Sequence, residues 1–256
     1  MNLGQVAGWL AAAPRIGVLT GAGLSTDSGI PDFRGPAGLW TNAPAAQRQF
    51  SIDAYVADRE LRIASWARRR DHPAWTARPN DGHRALVDLE RSGRLGTIAT
   101  QNIDGLHQAA GSDPGRVLEL HGTIWQAICL SCGDRLPMRA VLLRVDAGEA
   151  DPGCLCCGGL LKSATVSFGQ PLDRAVFAAA REAAEESAVY LAVGSSLTVS
   201  PAADLCRIAV QAGARLVVCN GQATPYDGLA GESGGAVVRG PLSTTLPALI
   251  AGALAA

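Results

Sequence analysis

The sequence predicts an α/β fold: a parallel sheet covered by helices on both faces, with a second, smaller module built from two insertions into it. Three observations carry this. Short apolar, β-branched runs alternate with alanine-rich segments of helical period, the rhythm of repeated βαβ units. Two stretches, 34–80 and 123–163, interrupt that rhythm, and each is too long to be an ordinary loop. The 256 residues, with formal net charge −1, 48% apolar and 18% charged, suit one soluble unit able to bury a single large core.

Taken in order, the expected strands are 16–20, 97–100, 117–120, 165–168, 189–193 and 215–219, with a weaker one at 236–238. Helices are expected at 173–187 and 201–212. The first has an acidic end that opposes the helix dipole, which leaves its boundary loose. The parallel-sheet part then takes 1–33, 81–122 and 164–256. The small module takes 34–80, a Pro-, Gly-, Arg- and Trp-containing stretch with a broken helical pattern, and 123–163, where cysteines cluster. No internal repeat or low-complexity linker is present. The first residues form a short apolar stretch with no basic leader, so neither a signal peptide nor a membrane span is expected, and the expected compartment is the cytoplasm. The charge balance offers no polybasic excess for a phosphate backbone, so no nucleic-acid partner is expected. No long heptad segment demands an oligomer. Lys162 is the only lysine among 22 basic residues.

Five of the seven cysteines fall between Cys129 and Cys157. An odd, clustered set argues for metal ligation over a disulfide framework. Cys129-Leu-Ser-Cys132-Gly and Cys154-Leu-Cys-Cys157-Gly are two CxxC knuckles. Each lets two thiolates face one ion, and the glycine that follows permits the tight turn. Together Cys129, Cys132, Cys154 and Cys157 make a closed four-thiolate site for one structural Zn²⁺. Cys156 is a rival to Cys157, since a CxC pair with Cys154 also fits zinc. Cys157 preserves the symmetry of the two knuckles. Cys206 and Cys219, inside apolar runs, read as core residues.

The first strand runs into Gly21-Ala22-Gly23-Leu-Ser25, followed by Asp32-Phe33-Arg34. Glycines at the end of a first parallel strand allow close approach to a pyrophosphate, with free amides and small hydroxyls as donors. The dinucleotide fingerprint GxGxxG is incomplete, because Thr26 stands where its third glycine belongs. Three further polar stations follow later strands: Gln101-Asn102-Ile103-Asp104, Gly194-Ser195-Ser196, and Asn220 with Gly221. In open α/β sheets, ligands bind across that carboxyl edge. His121 also ends a strand and precedes a glycine, which aims its ring into the crevice as a candidate general base. His72 and His83 read as structural, as does His107 beside the site.

These residues resemble the sirtuin family of NAD-dependent protein deacylases, of bacterial type. The matching stretches are GAGLSTDSGIPDFRGPAGLW, TQNIDGLH, ELHG, the four-cysteine frame, GSSL and VVCNGQATPYD. The resemblance implies a Rossmann-like domain, a zinc-and-helix module, and NAD consumed as a co-substrate. It implies acylated-lysine proteins as partners, with nicotinamide, O-acyl-ADP-ribose and free lysine as products. In the family the acyl oxygen attacks the anomeric carbon of the nicotinamide ribose, and the histidine matching His121 then deprotonates a ribose hydroxyl. On this reading Asn102 and Asp104 stabilise the charge that develops on the ribose. Gln101 holds the ribose near His121, and Asp104 takes the nicotinamide carboxamide with help from Ile103. Phe33 shields the cleaved face, and Arg34 lies on a loop that orders with cofactor. Ser195, Ser196 and Asn220 suit the adenosine side.

Two departures bear on specificity. Where the family reads LKPDVVFFGE, this chain has LKSATVSFGQ, which alters the wall and charge beside a bound peptide. The desuccinylating branch carries a Tyr and an Arg three apart in the helical insertion. Here Arg68 could supply the charge, but Ser65 stands in the tyrosine position, so a neutral acyl group is expected. The alternatives are ADP-ribose transfer to protein from the same NAD site, and a non-catalytic zinc- and NAD-binding module.

Overall fold

The structure, a computed structural model, describes residues 3–36 and 38–256, apart from the side chains of 44–46; Met1, Asn2 and Ala37 lie outside the described residues. Strand β1 (Ile16–Thr20) follows helix α1 (Leu3–Ala12). The first insertion carries α2 (Leu39–Asn42), α3 (Ile52–Ala57) and α4 (Arg59–Arg70), joined by short 3-10 turns. Then come α5 (Asp81–Arg91), β2 (Leu95–Thr100), α6 (Leu106–Ala110) and β3 (Val117–Glu119). The second insertion holds β4 (Gly122–Cys129), β5 (Arg135–Pro137), α7 (Met138–Asp146) and β6 (Leu161–Thr165). The chain closes with α8 (Arg174–Glu185), β7 (Val189–Val193), α9 (Asp204–Gln211), β8 (Arg215–Cys219), α10 (Asp227–Glu232), β9 (Ala236–Val238) and α11 (Leu242–Ala255).

The large sheet is parallel, in the order β3-β2-β1-β7-β8-β9. With the second insertion set aside, this is the strand order of a dinucleotide-binding fold, and the chain reverses direction between β1 and β7. Both of those strands are buried at every residue, which explains why they read as continuous apolar runs. One face packs on α1, α5 and α11 through Leu10, Leu86, Leu89, Leu246 and Leu249. The other packs on α8, α9 and α10 through Ala180, Leu205, Ala209 and Ala230. Cys206 and Cys219 are fully buried in these layers, as expected. The acidic end of α8 is neutralised by pairs of Arg181 with Glu185 and of Arg15 with Glu186. No described helix is long and apolar enough to cross a membrane.

Two sequence expectations need correction. The run 165–168 is not a strand of the parallel sheet. The strand lies earlier, as β6, and pairs antiparallel with β4 in a separate sheet of order β5-β4-β6. Its polar members hid it: Lys162 and Ser163 sit within it, the amine satisfied by neighbouring carbonyls and Ser163 by Arg69 from the other insertion, and tertiary context outweighs strand propensity. Phe168 is instead held by a bridge to Ser51, with Phe168 N–H donating to the Phe50 carbonyl and Ile52 N–H to that of Phe168. The helix expected from 201 begins at Asp204, after an irregular turn.

The two insertions form one module. Trp66 of α4 enters the core under the small sheet with Ala127, Cys129, Met138, Val141, Cys154 and Leu161. Polar ties complete the junction. Arg62 pairs with Asp151 at 2.9 Å and donates to the carbonyls of Tyr55 and Val56. The Tyr55 hydroxyl donates to the Leu161 carbonyl at 2.7 Å, and Arg69 to Ser163 Oγ at 2.9 Å. Lys162 is 3% exposed and donates to the carbonyls of Ser163 and Thr165. Burial, and then the nearby Arg69 charge, pull its amine down to about 8.

Candidate active site

The carboxyl ends of β1 and β7 face one another at the point where the sheet reverses. Their loops touch. Gly21 N–H donates to the Val193 carbonyl at 2.9 Å and Gly23 N–H to that of Gly194 at 2.8 Å. A Cβ on Gly21 would lie 2.8 Å from the Gly194 oxygen and the Ser195 Cα, and one on Gly23 2.9 Å from the same oxygen. The two glycines are therefore required by the approach of two protein loops, in addition to any ligand. Ala22 lies between them in a 3-10 turn.

A buried polar network crosses this junction. The Asn102 amide donates to the Gly21 carbonyl and to Ser25 Oγ, both at 3.1 Å. Ser25 Oγ in turn donates to Asp104 Oδ2 at 2.7 Å, and Leu106 N–H to Asp104 Oδ1 at 2.9 Å. Burial pushes the Asp104 carboxyl up, and those two hydrogen bonds pull the other way. Gln101 Nε2 donates to Ser195 Oγ at 2.8 Å. His121 Nδ1 lies 3.0 Å from the Gln101 carbonyl oxygen. A carbonyl can only accept, so Nδ1 carries the proton and Nε2 of the neutral ring keeps its lone pair. Burial lowers the imidazole from its ordinary value, with the carbonyl contact opposing. The ring is thus neutral at pH 7, poised to take a proton at Nε2.

The Sγ atoms of Cys129, Cys132, Cys154 and Cys157 lie within 4.8 Å of one another, with Cys129 to Cys157 at 3.5 Å and Cys132 to Cys154 at 3.7 Å. A tetrahedral zinc with bonds of about 2.3 Å would place sulfurs about 3.8 Å apart, so the cluster fits one structural ion. Ser131 and Cys132 amides point at the Cys129 sulfur, at 3.4 and 3.5 Å. Cys156 is exposed and outside the four.

A family model described as the Sir2 family matches residues 21–201. The chain belongs to the Sir2 family. The NAD-dependent protein deacetylase 2 of Streptomyces coelicolor is 52% identical over 239 residues, covering 93% of this chain and 98% of that protein. A solved Sir2 enzyme structure superposes with a TM-score of 0.88 at 35% identity, over 99% of this chain and 98% of the other. Another, a Sir2 protein with a peptide and NAD⁺, gives 0.86 at 31% identity over the whole of both chains.

In this Sir2 chain the structure joins Gly21, Ser25, Gln101, Asn102, Asp104, His121 and Ser195 directly. Ile103 packs below them with Leu106 and Ile124. Asp32, Phe33, Arg34, Ser196, Asn220 and Gly221 stand apart from that network. Asp32 accepts from the Gly35 amide. Phe33 stacks on Trp40 at 4.6 Å within an aromatic cluster that includes Phe50 and Phe168, and the Arg34 guanidinium lies 4.4 Å over the Trp40 ring. Ser196 bonds Thr198, and Asn220, ahead of Gly221, closes its own turn on the Gln222 carbonyl. His107 is structural: its Nε2 meets Thr20 Oγ1 at 2.9 Å, and Thr20 donates to Thr100, which also accepts the Asn102 amide. Sequence reasoning missed this threonine pair and Asn80, which caps α5 and reaches Ser28 and the Leu24 carbonyl. The Asn80-Asp-Gly-His83 helix start was its available signal.

Proposed function

We propose that this Sir2 protein removes acetyl, or another neutral acyl group, from lysine side chains of cytoplasmic proteins, with NAD as the consumed co-substrate. The observation that carries it is the hold of the Gln101 carbonyl on His121 Nδ1 at 3.0 Å, which turns Nε2 into the position that can accept a proton. Bound NAD supplies an anomeric carbon whose nicotinamide substituent can leave. Gly21, Ala22, Gly23 and Ser25 would hold its phosphates, with Asp32 and Arg34 on the adjoining loop. Ser195, Ser196, Asn220 and Gly221 would hold the adenosine side, and Asn102, Ile103 and Asp104 the nicotinamide side. His121 takes a hydroxyl proton at Nε2, and the Gln101 carbonyl stabilises the cation that results.

The preference for a neutral acyl group is supported by the aromatic cluster of Phe33, Trp40, Phe50 and Phe168 and by α4. That helix carries no tyrosine near Arg68, and the Tyr55 hydroxyl is committed to the Leu161 carbonyl.

Incubation with NAD and acetyl-, propionyl- and succinyl-lysine peptides, read by mass spectrometry, tests the proposal. O-acetyl-ADP-ribose and nicotinamide are expected. His121→Ala should cut the rate by about 10² to 10⁴-fold and leave zinc content and Tm in place. A higher kcat/KM on the succinyl peptide overturns the acyl preference. Protein labelled from labelled NAD without acyl peptide points to ADP-ribose transfer.

A further inference from the structure

Strand β4 begins beside His121 and ends at the zinc ligand Cys129. Its first residues lie against the loop that carries Gln101, Asn102 and Asp104. Three carbonyls of that loop are held from this side. His121 Nδ1–H donates to Gln101 at 3.0 Å, Ile124 N–H to Ile103 at 2.9 Å, and the Trp125 indole Nε1–H to Asp104 at 2.8 Å. The first two donors belong to residues already explained, by catalysis or by the core. Trp125 is explained by neither.

Trp125 is 45% exposed, so burial of its ring is not what it chiefly supplies. Its side-chain hydrogen bond is to backbone. Gly105 takes a left-handed φ of 73°, and a Cβ there would lie 2.7 Å from the indole Nε1, so the ring rests directly on the peptide that follows Asp104. On its other side Trp75 meets it edge to face at 5.0 Å, and the Trp75 indole N–H donates to the Arg69 carbonyl at 2.7 Å. The ring is thus braced by the helical insertion while it grips the loop. The Asp104 carboxylate branches from the residue whose carbonyl the indole holds, so a tilt of that peptide plane moves the carboxylate.

We propose that Trp125 is a positioning residue: its indole N–H fixes the Asp104 peptide and so the aim of the Asp104 side chain toward nicotinamide. The proposal rests on the reading of Asp104 as a nicotinamide-side residue. It assigns the small module a part in the reaction.

Full-length, zinc-loaded Trp125→Phe keeps a ring and loses the N–H. KM for NAD and the inhibition constant for nicotinamide should both rise about five- to tenfold, the effect of one lost hydrogen bond, with KM for the acetyl-lysine peptide unchanged. Trp125→His, which keeps a ring N–H, should recover part of the loss. In the wild-type chain the Trp125 indole N–H resonance should shift when NAD is added, while that of Trp9 on α1 stays, a readout that needs no variant to fold. Wild-type NAD and nicotinamide constants in Trp125→Phe, equal losses toward peptide and NAD in both variants, or an unmoved Trp125 resonance overturn the proposal alone if the wild-type chain is active. If the wild-type chain releases no nicotinamide with acetyl-lysine peptide, the functional reading falls and this proposal falls with it.

Discussion

The large parallel sheet and the small inserted module solve the same problem by different means. In the large unit β1 and β7 are buried throughout and two helix layers close over apolar side chains. Stability there is a matter of area removed from water. In the small module only some residues of β4 are buried, and the core around Trp66 includes the two cysteines Cys129 and Cys154. Thiolate ligation, the Arg62–Asp151 pair and cations bonded to carbonyls supply what apolar burial does not. The loop that carries Gln101, Asn102 and Asp104 hangs between the two. Its side chains are held by the large unit, through Gly21, Ser25 and Ser195, and its carbonyls by His121, at the boundary of the two, and by Ile124 and Trp125 of the small one. A unit held together by a metal can therefore set the geometry of a site that a larger unit carries.

The contrast is easiest to break at the metal. Cys157→Ser should release zinc and disorder β4 to β6, abolishing activity while the parallel sheet keeps most of its far-UV signal; zinc stoichiometry and circular dichroism check this. Cys156→Ser should leave zinc bound. Zinc loss from Cys156→Ser with retention in Cys157→Ser would reverse the ligand assignment. Leu191→Ala is the counterpart in the large unit. Leu191 is fully buried, so truncation should cost about 2–5 kcal/mol of unfolding free energy with zinc stoichiometry intact. Loss of zinc in that variant would mean that the two units unfold as one.

The smallest effect concerns His121. On the proposed mechanism His121 acts as base only when neutral, and burial lowers its pKa, so the acid-side fall in kcat/KM should move to lower pH. The profile should be flat from pH 8 to 7 and reach half its plateau only below about 6.5, the unperturbed histidine value. A midpoint at or above that value would mean that the ring is not held as the structure has it.

What the sequence disclosed follows the same division. Strands 16–20, 189–193 and 215–219 were legible because every position but Arg215 is buried, and the cysteine frame because its spacing is rigid. The termini were not: α1 and α11 are rich in alanine and leucine with almost no charge, so no polar face marks their period. β6 was misplaced because it buries Lys162 and Ser163, and Arg69, which bonds Ser163 from the other insertion, is a partner that local pattern cannot reveal. The glycines of the first turn were expected to admit a pyrophosphate, and their approach to Gly194 and Ser195 depends on topology. Trp125 gave no warning, since one tryptophan in a strand reads as core until its exposure and indole partner are known.

The buried Lys162 has a chemical consequence for the molecule itself. Reactive acyl donors modify amines that they can reach, and the sole lysine amine of this chain is buried at the small sheet, bonded to two carbonyls. Folded, the protein keeps its one lysine away from such donors.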